Sequence, residues 1–85
     1  MYRVSIKKSV CKELKEIPKG PLKKIIHHLE ALSSTPRPPG CKKLASSQKA
    51  LWRVRSGTYR IVYTVNDREK LVEIRRVGHR RDVYS

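Results

Sequence analysis

An α+β fold is predicted for this chain, in the order β-α-α-β-β-β, with two N-terminal helices packed on one face of a mainly antiparallel four-stranded sheet. Three observations predict it. Residues Tyr2 to Lys7 alternate, with Tyr2, Val4 and Ile6 on one side and Arg3, Ser5 and Lys7 on the other, as in a strand with one buried face. Apolar residues then recur at helical spacing up to Leu32, and from Ala50 onward the period returns to two. Two helices on one face of such a sheet cover a single core. Eighty-five residues, 38% of them hydrophobic, suffice for one domain over residues 1–85 with one modest core.

The elements follow in order. Ser9 can cap a short helix whose apolar positions Val10, Leu14 and Ile17 share a face. Pro18, Gly20 and Pro21 break it, and Pro21 suits the first turn of the next helix. The second helix carries the stripe Leu22, Ile25, Ile26, Leu29 and Leu32, with Lys23, Lys24, His27 and Glu30 on or beside the opposite face. His27 and His28 are adjacent and point about 100° apart on a helix, so a solvated polar edge explains them better than a metal site. Thr35–Gly40 (TPRPPG) is a stiff extended connector, because three prolines forbid helix and discourage a central strand. A proline-rich ligand for another domain is the competing reading of that segment, and a linker suits so short a chain better. Ala50–Arg55, Thr58–Val65 and Lys70–Val77 read as three strands, joined by turns at Ser56-Gly57 and Asn66–Glu69.

Charge narrows the function. Lys and Arg number 21 against 7 Asp and Glu, a formal +14. Such an excess opposes compaction and is put to use by attracting a polyanion: nucleic acid, an anionic membrane surface or an acidic protein. No apolar run is long enough to span a membrane, and the second helix spends its stripe on the core, which leaves the membrane surface the weakest of the three. MYRVSIKKSV lacks the apolar stretch of an export signal, so a cytoplasmic location is expected, with Cys11 and Cys41 as reduced thiols. Neither cysteine sits at ligand spacing from another Cys or His, and the seven acids are scattered, so no metal and no cofactor is expected.

Lysine and arginine are distributed unevenly. Ten of the eleven lysines precede residue 50, and eight of the ten arginines follow it. Lysine is a mobile, hydrated charge suited to long-range attraction, whereas the planar fork of arginine grips phosphate through paired hydrogen bonds. A two-residue turn at Ser56-Gly57 sets Val54 against Tyr59 and Trp52 against Ile61 on the buried face, and sets Arg53 directly across from Arg60 on the outer face with Arg55 beside them. Like charges so opposed repel, and an anion between them relieves the repulsion. By the same parity Arg75 and Glu73 join the arginine face. Solvated arginines on an open sheet face are the plainer account of any single one of these residues; several on one face favour a site.

The tail adds groups that can move a proton. His79, Arg80 and Tyr84 follow Gly78 closely, and in a helical turn Arg80 and Tyr84 project from the same side. Cleavage of RNA by its own 2′-OH needs a base for the hydroxyl proton, positive charge around the pentacoordinate phosphorus and an acid for the leaving 5′-oxygen. Arg53, Arg55, Arg60 and Arg80 can supply charge. Arginine is too basic to take the proton, which leaves His79 and Tyr84.

LWRVRSGTYRIVYTVND (residues 51–67), followed by RRVGHRRDVY (residues 75–84), closely resembles the RelE branch of the RelE/ParE toxin superfamily. The specific parts are the G-x-Y-R-x-x-Y block at Gly57–Tyr63 and the V-G-H-R-x-x-V-Y ending at Val77–Tyr84, and the element order matches too. The resemblance implies a toxin paired with a cognate antitoxin that covers its active residues. It also implies an endoribonuclease, or mRNA interferase, that enters the 30S A site of the ribosome and cuts mRNA without metal, inhibiting translation. The family's catalytic positions fall on Arg53, Arg55, Arg60, Arg80 and Tyr84, with His79 as a further candidate and with Arg53, Arg55, Arg60, Arg75 and Arg81 expected to bind RNA. The first two positions are commonly lysine in the family, so a lysine base has no equivalent here and Tyr84 or His79 is expected to take the proton. Two other readings stay open: a ParE-like inhibitor of DNA gyrase on the same fold, and a non-catalytic basic nucleic-acid-binding module.

Overall fold

The computed structural model describes residues 1–44 and 50–79. Its elements are β1 (Arg3–Ile6), α1 (Lys8–Lys15), α2 (Lys19–Ala31), β2 (Lys42–Leu44), β3 (Leu51–Ser56), β4 (Tyr59–Asn66) and β5 (Leu71–His79). They form a five-stranded sheet in the order β1-β5-β4-β3-β2, antiparallel except for the β1–β5 pair. The additional strand is β2, which pairs with β3 at the edge (Lys42 with Arg53, Lys43 with Trp52, Leu44 with Leu51). Its three residues are too few to show an alternation, so the pairing with β3 defines it.

α1 packs on β5, and α2 on β3 and β4. Between the layers lie Val10 and Ile17 from α1 and its exit, Ile25, Leu29 and Leu32 from α2 and its end, and Val54, Ile61, Tyr63, Val72, Ile74 and Val77 from the sheet. Burying each aliphatic side chain contributes about 1.5–3 kcal/mol, which holds the two layers together. Ile26 departs from the expected stripe. It is 44% exposed, because the face that meets the sheet is carried by Ile25, Leu29 and Leu32. Ser9 does not cap α1. The helix begins at Lys8, two residues before a Ser9 cap would start it, and its cap is Lys7, whose carbonyl accepts from the N–H groups of Val10 and Cys11. Pro21 falls in the first turn of α2, where a missing N–H costs nothing.

The TPRPPG connector is tied across the sheet. The Arg37 guanidinium makes a two-pronged bond to Asp67 in the β4–β5 turn (Nη1 to Oδ1 3.1 Å, Nη2 to Oδ2 2.9 Å) and lies 5.1 Å over the ring of Trp52. The Tyr2 hydroxyl donates to the same carboxylate at 2.6 Å, and the Tyr63 hydroxyl donates to the Pro36 carbonyl at 2.8 Å. Arg37 is the foremost cause of a depressed Asp67 carboxyl, held down to about 2 with help from Tyr2, while burial pushes the Tyr63 phenol up. No helix among the described residues is long and apolar enough to cross a membrane.

Candidate nucleic-acid interface

The β3–β4 hairpin differs from its expected register. Its two turn residues are Gly57 and Thr58, so Ser56 pairs with Tyr59, Arg55 with Arg60, Val54 with Ile61, Arg53 with Val62, and Trp52 with Tyr63. The cause is the turn itself. Gly57 has φ +63 and Thr58 does not have positive φ, the pattern of a type II′ turn with glycine first. A turn at Ser56-Gly57 would have forced Ser56 into that strained region. The slip changes partners and leaves faces intact, so Arg53, Arg55 and Arg60 do share the face away from the helices. The residue opposite Arg60 is Arg55, and not Arg53.

The arginine face is ordered in two rows across the sheet. One row runs Arg55, Arg60, Gly78; the other runs Lys42, Arg53, Val62, Arg76. Gly78 places no side chain beside Arg60. Arg55 is exposed, while Arg53 and Arg60 are only 5% and 6% exposed. Burying a guanidinium costs several kcal/mol unless an anion or acceptors compensate. Among the described residues the Nε of Arg53 has no hydrogen-bond partner. Lys42 enters the face through β2, and the sequence carried no signal for it beyond its charge.

β5 is re-phased by a bulge opposite Val62 and Tyr63, where Val62 pairs with Arg76, Tyr63 with Ile74, and Arg75 is the extra residue. Without the bulge, alternation from Ile74 would point Arg76 into the core; with it, Val77 goes in. Arg75 lies beside Glu73, to which it is ion-paired at 3.0 Å, so its charge is locally balanced. Beyond Ile74 the edge of β5 is no longer covered by β1. There Glu13 of α1 accepts from the Val77 N–H (3.1 Å) and from Arg76 Nε (3.0 Å), joining α1 to the end of the strand.

His79 is not brought to the arginines. It pairs with Tyr59, whose ring packs against the core, and the two rings meet edge to face with centroids 5.8 Å apart. His79 is therefore on the helix side of the sheet, whereas its neighbour Gly78 is on the arginine side. Arg80, Arg81 and Tyr84 lie outside the described residues. Among those described, no group of three or more His, Cys, Asp and Glu is placed to hold a metal ion.

A family model for the ParE toxin of the type II toxin–antitoxin system parDE matches residues 4–84. A Methanocaldococcus jannaschii protein that bears the name toxin RelE1 is 34% identical over 87 residues, covering 99% of this chain and 96% of that protein. Among solved structures, a chain of the archaeal RelE–RelB complex from Pyrococcus horikoshii superposes with a TM-score of 0.82 at 32% identity, over 93% of this chain and 94% of that one. A chain of the toxin–antitoxin complex RelBE2 from Mycobacterium tuberculosis does so with a TM-score of 0.81 at 29% identity, over 93% and 98%. Fold and relatives together define a toxin of a type II toxin–antitoxin system. The chain belongs to the RelE/ParE toxin superfamily, in which it is a RelE-type toxin.

Proposed function

We infer that this toxin is a ribosome-dependent endoribonuclease that cuts mRNA in the A site, in the cytoplasm, and so halts translation. The observation that carries the reading is the set of three guanidinium groups on one sheet face, with Arg55 opposed to Arg60 and Arg53 buried beside them. Opposed cations destabilise a hairpin unless an anion lies between them, and a backbone phosphate suits paired guanidinium forks. In the reaction the 2′-oxygen gives up its proton and attacks phosphorus, the P–O5′ bond breaks, the leaving 5′-oxygen takes a proton from solvent to become a 5′-hydroxyl, and a 2′,3′-cyclic phosphate forms. Arg55 and Arg60 are assigned to the scissile phosphate, Arg53 to the charge that stabilises the pentacoordinate phosphorus, and Arg80 to the leaving oxygen. Because the ring of His79 is engaged with Tyr59 on the other face, the proton of the 2′-OH is assigned to Tyr84. Arg75 and Arg81 add backbone contacts. The partner that silences the toxin is its cognate antitoxin, as the RelE–RelB complexes among its relatives suggest.

Primer extension on mRNA in a translating extract tests the reading: cuts that require ribosomes are expected. A second reading rests on the ParE description of the matching family model. A ParE-like toxin would stall supercoiling by DNA gyrase and leave the mRNA intact, so the two activities separate in paired assays.

A further inference from the structure

Where the N-terminus of α2 meets the tip of the β3–β4 hairpin, an open cavity of about 380 Å³ lies between Gly20 and Lys24 on one side and Ser56, Gly57 and Thr58 on the other. α2 spans thirteen residues and has no side-chain cap, because Pro18 takes the cap position. Its first internal bond runs from the Leu22 N–H to the Pro18 carbonyl at 2.9 Å. Pro21 has no N–H, so the amides of Lys19 and Gly20 are the ones this helix end leaves to be satisfied. No acidic residue sits in the first turn to meet the partial positive charge there. Glu16, the acid nearest in sequence, lines a neighbouring cleft with His79. A Cβ at Gly20 would meet nothing within 4 Å, so the backbone is open to a ligand.

Ser56 faces the same cavity from the sheet. Alternation along β3 sends it with Val54 to the helix side, while Arg55 turns to the opposite face. Ser56 is 7% exposed, and among the described residues its hydroxyl has no hydrogen-bond partner. An unpaired buried hydroxyl is costly, and a bound acceptor removes the cost. Lys24 follows Gly20 by one helical turn, is exposed, and lines the same opening.

We propose that this cavity binds a phosphate group, held by the Lys19 and Gly20 amides, the Ser56 hydroxyl and the Lys24 ammonium. Backbone N–H groups at a helix N-terminus point at an anion, and the helix dipole favours its negative charge. Lys24 adds a full charge and Ser56 a hydroxyl from the facing strand. The donors converge from helix and hairpin, so the tetrahedral spread of phosphate oxygens suits them better than a flat carboxylate. Pro21 and Tyr59 wall the cavity with apolar surface, which strengthens each polar contact made inside it. The site is separate from the arginine face, since Arg55 and Ser56 are neighbours that point opposite ways. It therefore goes beyond the cleavage reading and does not rest on it.

Amide NMR of the toxin tests the site, with sodium phosphate, AMP and a 2′-O-methyl RNA oligonucleotide as probes at constant ionic strength. Saturable shifts of the Lys19, Gly20 and Ser56 amides are expected with inorganic phosphate. Ser56→Ala and Lys24→Gln should each weaken that binding by about tenfold, while Arg55→Gln should leave it within about twofold. Melting temperatures of the Ser56 and Lys24 variants should change little. Of the two larger probes, the tighter binder names the source of the phosphate: the oligonucleotide a strand that rounds the hairpin tip, AMP a free nucleotide. Shifts that never saturate, or that sodium chloride reproduces, would overturn the proposal. So would undiminished binding in Lys24→Gln, which at an exposed helix position decides the matter even if Ser56→Ala fails to fold. Shifts abolished by Arg55→Gln would assign the phosphate to the arginine face and overturn the separate site.

Discussion

Arg55 stands directly opposite Arg60 in the β3–β4 ladder, and Gly78 takes the position across from Arg60 on the other side. Two like charges are thus held on one sheet face next to a position with no side chain.

Arg55→Gln should separate stability from binding. Removing one of two opposed cations is expected to raise stability by about 0.2–1 kcal/mol at low salt, with the gain fading as salt screens the repulsion. The same change should weaken RNA binding and reduce the slope of log affinity against log salt by about 0.7 for each phosphate that is no longer neutralised. Thermal melts and a salt titration with single-stranded RNA check both halves. A variant that loses stability and keeps its RNA affinity would show that the pair is structural.

Asp67 should confer an acid-dependent component of stability. Its carboxyl is depressed to about 2 in the folded protein, chiefly by Arg37 and then by Tyr2, against about 3.9 in an unfolded chain. A depressed carboxyl stabilises the fold fully above the unfolded value and loses that contribution as pH falls from about 4 toward 2. Asp67→Asn should flatten the pH dependence of unfolding in that window. Trp52 fluorescence, sensitive to the Arg37 guanidinium above the ring, gives the readout. An unchanged acid profile would show that the Arg37–Asp67–Tyr2 cluster carries no acid-sensitive stability.

Tyr63 ties the proline connector to the sheet through one hydroxyl. Tyr63→Phe keeps the buried ring and leaves the Pro36 carbonyl without its donor, so a loss of about 1–2 kcal/mol in denaturant unfolding is expected. Because Tyr63 points into the core, RNA affinity should not change.

The faces of this fold are legible in the sequence because parity survives small errors. Val54, Ile61, Val72 and Ile74 have to point inward wherever the turns fall, and that places Arg53, Arg55 and Arg60 together on the far side. Partners are less legible, since both turn placements keep the same parity and only the positive φ of Gly57 chooses between them. β2 is hidden because three residues, two of them lysines, take their strand character from β3 alone. The place of His79 is obscured by its neighbours. Nearness in sequence to Gly78 and Arg80 suggests membership of the site, but alternation sends adjacent residues to opposite faces. The clamp at Arg37 joins residues 30 positions apart, beyond the reach of any local pattern. Low exposure of Arg53 and Arg60 has no signal at all, because residue type predicts the opposite.

The decisive measurement for RNA cleavage is primer extension on mRNA in a translating extract, run with the unmodified toxin, Arg55→Gln and Tyr84→Phe. Cuts should appear only when ribosomes occupy the message, and they should fall by about a hundredfold in each variant, whose free proteins remain folded. Intact mRNA with ribosomes present, together with stalled gyrase supercoiling, would contradict cleavage as the activity of this toxin.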